Sequence, residues 1–139
     1  MFVFSLLLLA SAEYSFACTC VASNRPLNAQ VKEAFNNSTV IFSGEVISIT
    51  PKSEYEVTVK IKVEKSWKGT FSKEVAITTN KNSAMCGYGF EVGKTYLVYA
   101  YGAKDDLSTT NCSRIKLFSN KEDIKYLDKL KKRVKIKST

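Results

Sequence analysis

The chain has 139 residues, 45% of them hydrophobic and 24% charged, with 21 Lys and Arg against 13 Asp and Glu for a net charge of +8. That is enough apolar material for one core, too little for two ordinary domains, and not the composition of a disordered tail. Histidine is absent, which removes Ser/His/Asp and Cys/His machinery and the commonest metal ligand, and points to a small, basic, stapled domain that is not an enzyme.

In chain order, Met1–Ala10 is an apolar run interrupted at Ser5, about half the ~20 residues that a spanning helix needs. It has the length of a signal-peptide hydrophobic core, although no Lys or Arg precedes it. Ser15 and Ala17 put small residues before a cut, so residues 1–17 are expected to be a signal peptide removed after Ala17. A buried strand or a retained anchor is the other use of such a run. Cleavage removes Glu13 and no base, leaving 18–139 as one more basic domain with no segment able to span a membrane. The expected location is secreted or extracellular, periplasmic or envelope-attached if the source is bacterial. There, four cysteines form disulfides.

Asn24–Asn28 reads as a loop around Pro26. Ala29, Val31, Ala34 and Phe35 give a short helix ended by Asn36-Asn37-Ser38. Val40–Ile49 is a strand whose internal Gly44 marks a bulge or tight coil, and Thr50-Pro51-Lys52-Ser53 turns the chain. Along Tyr55–Trp67, the residues Tyr55, Val57, Val59, Ile61, Val63 and Trp67 fall on one face, and Lys65 breaks the alternation. Period two sustained this long predicts a half-buried strand that bends to serve two parts of a barrel or sandwich. Lys68-Gly69 is a turn and Glu74–Thr79 the next strand. Asn80–Gly89 reads as an irregular loop carrying Cys86. Tyr96–Tyr101 is apolar on both faces and should be buried on both. Gly102–Asn111 reads as a polar loop leading to Cys112, and Arg114–Phe118 as the last strand. Ser119 and Glu122 have capping-box spacing, and Ile124, Leu127, Leu130 and Val134 follow at helical intervals. Five uneven strands, an early short helix and a C-terminal helix predict an all-β fold. The best fit is a small five-stranded Greek-key barrel of the oligonucleotide/oligosaccharide-binding (OB) type, with a β-sandwich as the alternative.

Cys18, Cys20, Cys86 and Cys112 allow three pairings. A Cys18–Cys20 bridge across one residue is strained, leaving Cys18–Cys86 with Cys20–Cys112, or the crossed pair. Either ties the start of the mature chain to two loops, each closure being worth up to roughly 4 kcal/mol on the chain-entropy account. A four-cysteine zinc site is the metal alternative, although its ligands usually come as Cys-x-x-Cys pairs. Termini ordinarily fray. A terminus held by two staples either compensates for a small core or keeps the first residue itself rigid.

Cys18-Thr19-Cys20-Val21, opening at a cleavage site, resembles the mature N-terminus of the tissue inhibitors of metalloproteinases. Ala34-Phe35-Asn36-Asn37-Ser38 is similar to the end of that family's first helix, and Ser66-Trp67-Lys68-Gly69-Thr70-Phe71 to its second strand and turn. Met85-Cys86-Gly87-Tyr88 and Thr109-Thr110-Asn111-Cys112-Ser113 are similar to the segments around two partner cysteines. The resemblance covers nearly all of 18–139. It implies an OB barrel of the netrin-like kind, the pairing Cys18–Cys86 with Cys20–Cys112, and inhibition of zinc metalloproteases. Two departures stand out. Asn36 occupies the place of a cysteine of the family's third disulfide, and the family's second, cysteine-rich domain has no counterpart in this sequence.

The chemistry that the resemblance implies runs through Cys18. A metalloprotease zinc keeps an open position for its catalytic water. The α-amine and carbonyl of an N-terminal Cys18 would chelate that zinc in a five-membered ring. The amine must shed a proton, and its reference pKa of about 7.7–8.0 makes this easy near neutral pH. Thr19 would enter the protease pocket, Val21 and Ala22 would continue along the cleft, and Ser83, Ala84 and Met85, tethered through Cys86, would line its other side. Met85 equally reads as a core side chain, and Thr19 as a spacer. No cofactor of its own is implied.

Lys121–Thr139 is dense in Lys and Arg. It suits anionic glycans, with a membrane surface or nucleic acid as other polyanions and a solvated helix face as the plain reading. Nucleic acid is not expected as a partner, because most aromatics sit in strand alternation rather than on a stacking face. Asn36, Asn37 and Asn111 fit glycosylation sequons. Two functions fit these features. One is a secreted inhibitor of zinc metalloendopeptidases acting through Cys18. The other is a secreted or envelope-anchored OB barrel that binds glycan or another polyanion and inhibits no protease. Lipid attached at Cys18, for which Ser15-Phe16-Ala17-Cys18 is a poor signal, would block the amine.

Overall fold

The computed structural model describes residues 17–69 and 73–137. The rest of the expected signal peptide, Thr70–Ser72 and the last two residues lie outside the described residues, as do the side chains of Ile136 and Lys137. Helix α1 (Leu27–Asn37) precedes strands β1 (Val40–Pro51), β2 (Glu56–Lys68), β3 (Glu74–Asn80), β4 (Thr95–Ala103), β5 (Asp106–Ser108) and β6 (Lys116–Leu117), and helix α2 (Ile124–Lys137) follows. The strand order is β1-β2-β3-β5-β4-β6, and β1 also pairs with β4. That pairing, Val40↔Ala100 through Glu45↔Thr95, closes β1, β2, β3, β5 and β4 into a five-stranded OB barrel. β3 and β5 run parallel at Thr78↔Ser108, while β6 attaches to β4 outside the ring.

The barrel has the expected five strands, but one member differs. Gly102–Asn111, expected as a loop, contains β5, which joins β3 to β4 and completes the ring. Its three residues carry a single buried apolar side chain, Leu107, too few to establish a period. Arg114–Phe118, expected as the fifth strand, contributes only the two residues of β6. There Arg114 is drawn aside to a carboxylate rather than into a ladder.

β4 shows why two cores exist. Tyr96, Val98 and Ala100 face the barrel interior with Phe42, Val46, Val59, Ile61 and Ile77. Leu97 and Tyr99 face outward and are covered by Val31 and Phe35 of α1 and Leu127 of α2, with Ile41 and Trp67 alongside. The strand is therefore buried on both faces, as its composition requires, and each large side chain contributes about 1.5–3 kcal/mol.

β2 bends as its length demands. Its register against β1 shifts between Ile41 and Phe42 and between Ser43 and Gly44. The extra residue between the pairs Gly44↔Val63 and Ser43↔Lys65 flips the alternation ahead of Trp67. Val59 and Ile61 stay inside the barrel, whereas Trp67, expected on their face, moves to the helix-covered core. Gly44 permits the bend: a Cβ there would meet the Lys62 carbonyl oxygen at 2.4 Å and Ile61 Cγ2 at 2.7 Å.

The α2 start also differs from the expected capping box. Asn120 Oδ1, not Ser119, accepts the Glu122 amide at 3.1 Å, and Asp123 O accepts the amides of Tyr126 and Leu127. At the end of α1, Lys68 Nζ donates to the carbonyls of Phe35 (2.6 Å) and Asn36 (3.2 Å). This noncovalent tie joins the helix to β2 beside the position where the resemblance would place a cysteine.

Candidate functional site: the N-terminal ridge

The stretches 17–24 and 82–90 contain no Asp, Glu, Lys or Arg. They also lack helical or alternating periodicity, so neither builds a regular element that could bury a face. Three other constraints hold them together. Cys18 bonds Cys86 and Cys20 bonds Cys112, with Cα separations of 5.1 and 5.2 Å. This is the pairing that the resemblance implied, and the crossed pair is excluded. The Cys18 amide donates to the Ala84 carbonyl at 3.2 Å. Asn111 supplies the third constraint: its amide donates to the Cys86 carbonyl at 2.9 Å and its side-chain Nδ2 to the Ser83 carbonyl at 3.3 Å.

The loop carrying Ser83, Ala84 and Met85 is shaped locally. Ser83–Met85 is one turn of 3-10 helix capped by Asn82, whose Oδ1 accepts the Met85 amide at 3.0 Å. Asn80 Nδ2 donates to the Met85 carbonyl. The turn ends at Cys86 with φ 63°, a left-handed conformation that costs a non-glycine residue roughly 1–2 kcal/mol. The disulfide and the turn hold it there. Gly87 follows because the backbone passes so close to β3 that a Cβ would lie 2.1 Å from the Asn80 carbonyl oxygen.

The expected site residues fall into two groups. Cys18, Ser83, Ala84 and Met85 come together directly, with Thr19 and Cys20 following Cys18 along an exposed edge. Met85 is 38% exposed, so it is not a core side chain. Val21 is 96% exposed. With Ala22 it lines a separate hollow of about 370 Å³ against Gln30, Ala34 and Arg114. Together these residues form a largely exposed ridge, uncharged in its own side chains and tied down by the two disulfides and by Asn111.

The two disulfides lie side by side, with Cys18 Sγ 3.8 Å from Cys112 Sγ. Asn111 Oδ1 sits 3.4 Å from each of those sulfurs and 3.7 Å from Cys20 Sγ. The sulfurs of Cys18, Cys20 and Cys112 lie within 4.8 Å of one another, but all four cysteines are in disulfides. They have no thiolate to offer, which excludes the four-cysteine zinc site in this state.

Behind the ridge sits a polar network that sequence reasoning missed. Asp123, with no exposed surface, accepts two bonds from Arg114, from Nε at 3.0 Å and Nη2 at 2.9 Å. It also accepts Tyr99 Oη at 2.8 Å and Lys116 Nζ at 3.0 Å. Burial alone would raise the Asp123 pKa, but the bonds from Arg114, Tyr99 and Lys116 outweigh it and hold the carboxyl below its usual range. Burial first, then the Asp123 charge, pushes the Tyr99 hydroxyl far above its ordinary value. Arg114 Nη1 continues to Gln30 Oε1 at 2.9 Å, and Gln30 Nε2 donates to the carbonyls of Arg25 (2.6 Å) and Ser23 (3.4 Å). The network thus reaches the chain just past Ala22. Arg114, Lys116 and Asp123 lie within ten residues of one another, but Tyr99 and Gln30 come from distant elements and no motif links the set.

No family model matches the chain, and no curated protein matches it in sequence. Among the described residues no helix is long and apolar enough to cross a membrane.

Proposed function

We propose that this protein is a secreted inhibitor of zinc metalloendopeptidases, related to the tissue inhibitors of metalloproteinases that segments along 18–139 resemble. It acts without catalysis of its own. The observation that carries the reading is the attachment of Cys18, by a disulfide and a backbone hydrogen bond, to the exposed Ser83–Met85 turn. An inhibitor working through its first residue needs this arrangement: a terminus that loses little entropy on docking, on segments whose own side chains carry no charge that would have to be desolvated.

Cleavage after Ala17 turns the Cys18 amide into an amine. A neutral amine can donate one N–H to the Ala84 carbonyl and still keep its lone pair for a metal. With the adjacent Cys18 carbonyl it would displace the catalytic water of the target's zinc. Thr19 and Val21 would then occupy the cleft on one side of that zinc, and Ser83, Ala84 and Met85 on the other.

The test is a one-residue extension. Alanine is placed before Cys18 with the cut moved to precede it. The Cys18 nitrogen becomes an amide, whose lone pair is delocalised into its carbonyl and ligates poorly. Inhibition across a panel of zinc endopeptidases should fall by orders of magnitude while the melting temperature barely moves. Undiminished inhibition by the correctly processed extended protein would overturn chelation by Cys18. Absence of inhibition by the native, N-terminally sequenced protein would overturn the function.

A further inference from the structure

α1 and α2 pack side by side, and between them lies a cleft of about 190 Å³ lined by Asn28 and Lys32 of α1 and Tyr126, Lys129, Leu130 and Arg133 of α2. Three of these six residues are cations and none is an acid. Lys32, Lys129 and Arg133 make no ion pair among the described residues. The nearest acids in sequence are engaged elsewhere. Glu33 pairs with Arg25, and Asp128 accepts Trp67 Nε1 and Lys65 Nζ.

Folding does not account for this concentration of charge. Lys125, Lys129 and Arg133 follow one another at four-residue intervals on α2, about 6 Å of rise apart, and like charges at that spacing destabilise a helix. The helix dipole favours cations in the last turn alone. The apolar floor of the cleft is different: Tyr126 and Leu130 pack against the helix-covered core and are held in place. The result is a concave site with a packed apolar floor and three exposed cations that form no ion pair among the described residues.

We propose that this cleft seats an anionic polysaccharide. One sugar ring lies against Tyr126 and Leu130, and the sulfate or carboxylate groups of that ring and its neighbours lie on Lys32, Lys129 and Arg133. The other polyanions fit less well. A membrane-surface helix needs a free apolar face, whereas Ile124, Leu127 and Leu130 of α2 pack against the core and, among the described side chains of α2, Val134 is the one exposed large aliphatic residue. Single-stranded nucleic acid needs successive exposed aromatic faces, whereas the cleft holds one half-buried tyrosine, with Lys125 Nζ 4.8 Å from its ring. The site shares no residue with the N-terminal ridge, so it stands or falls apart from protease inhibition.

The experiment measures binding of the full mature protein to a size-defined, heparin-type sulfated oligosaccharide. A neutral dextran of equal length, a single-stranded oligonucleotide and phosphatidylserine vesicles serve as rivals. The variant Lys32→Gln/Lys129→Gln/Arg133→Gln should bind the sulfated probe about tenfold or more weakly and flatten its salt dependence, because about three charge contacts are gone. Lys62→Gln/Lys73→Gln/Lys104→Gln, with the same loss of charge on barrel and loop positions, should weaken binding by less than about threefold. Lysine footprinting of the unaltered protein gives a second reading: the bound oligosaccharide should shield Lys32 and Lys129 from acetylation and leave Lys62 and Lys104 reactive. Equal losses in the two variants, tighter binding of the oligonucleotide or vesicles, or protection of the wrong lysines would each overturn the proposal.

Discussion

The N-terminal ridge and the Asp123 seam hold chain segments together by opposite means. The ridge has no buried apolar side chain of its own. Thr19, Cys20, Val21 and Ala22 are exposed, and order comes from two disulfides, the Cys18 amide donating to the Ala84 carbonyl, and Asn111 donating to the carbonyls of Cys86 and Ser83. The seam has no covalent link. Asp123 is fully buried, and Arg114, Tyr99 and Lys116 satisfy it from β4, β6 and the chain before β6. A segment that lies exposed is not fixed by burial, and covalent closure takes its place. A segment beneath two helices can be fixed by burial, at the risk of stranding a charge.

The seam is the easier of the two to break. Asp123→Ala leaves Arg114 and Lys116 facing each other with side chains 22% and 18% exposed. It should destabilise the domain by about 3–5 kcal/mol in denaturant titration. A loss below about 1 kcal/mol would show that the network does not hold α2 to the barrel. Acid should attack the same point. The Asp123 carboxyl is held below its ordinary range in the folded chain and returns to it on unfolding. Asp128 is likewise depressed, first by Trp67 and then by Lys65. Their stabilisation is therefore complete above about pH 4 and lost as pH falls through the lower folded values. The urea midpoint should be flat near neutrality and drop at acid pH, and Asp123→Ala should remove much of that drop.

At the ridge the expected stability effects are smaller and the functional ones larger. Cys20→Ser/Cys112→Ser should cost about 2–4 kcal/mol. It should also abolish most inhibition, since Cys18 then hangs from one staple. Asn111→Ala should shift stability by about 1 kcal/mol yet weaken inhibition measurably, because it frees the Ser83 carbonyl beside the terminus. A change in melting temperature without a change in inhibition would place Asn111 in the fold alone. The smallest effect belongs to neither region. Ser43 is buried, and its Oγ has no partner among the described residues. Ser43→Ala should be neutral or stabilise by up to about 1 kcal/mol.

Part of this architecture is legible in the amino-acid sequence. The long alternation of β2 and the two-faced apolarity of β4 announce a barrel with one strand covered outside as well as within. The cysteine positions announce a stapled start, and the pairing came from the resemblance rather than from spacing. β5 is not legible, because three residues with one apolar side chain carry no period. The outward turn of Trp67 is not legible either, since a bulge changes which face a residue occupies without changing the sequence pattern around it.

Local patterning, then, determined the elements: where strands alternate, where helices bury a stripe, and which four side chains can cross-link. Those properties depend on neighbours within a few residues, and the chain carries them wherever it goes. Tertiary structure decided the rest. It chose which short segment closed the ring, brought Asp123 to Arg114 and Tyr99, and set Asn111 between two disulfides and beside the Ser83 carbonyl. It also drew Lys32 from one helix to Lys129 and Arg133 of another. Each of these pairs residues that no local period relates. Their meeting depends on how the barrel closes and how the helices lie upon it, which is a property of the packed whole.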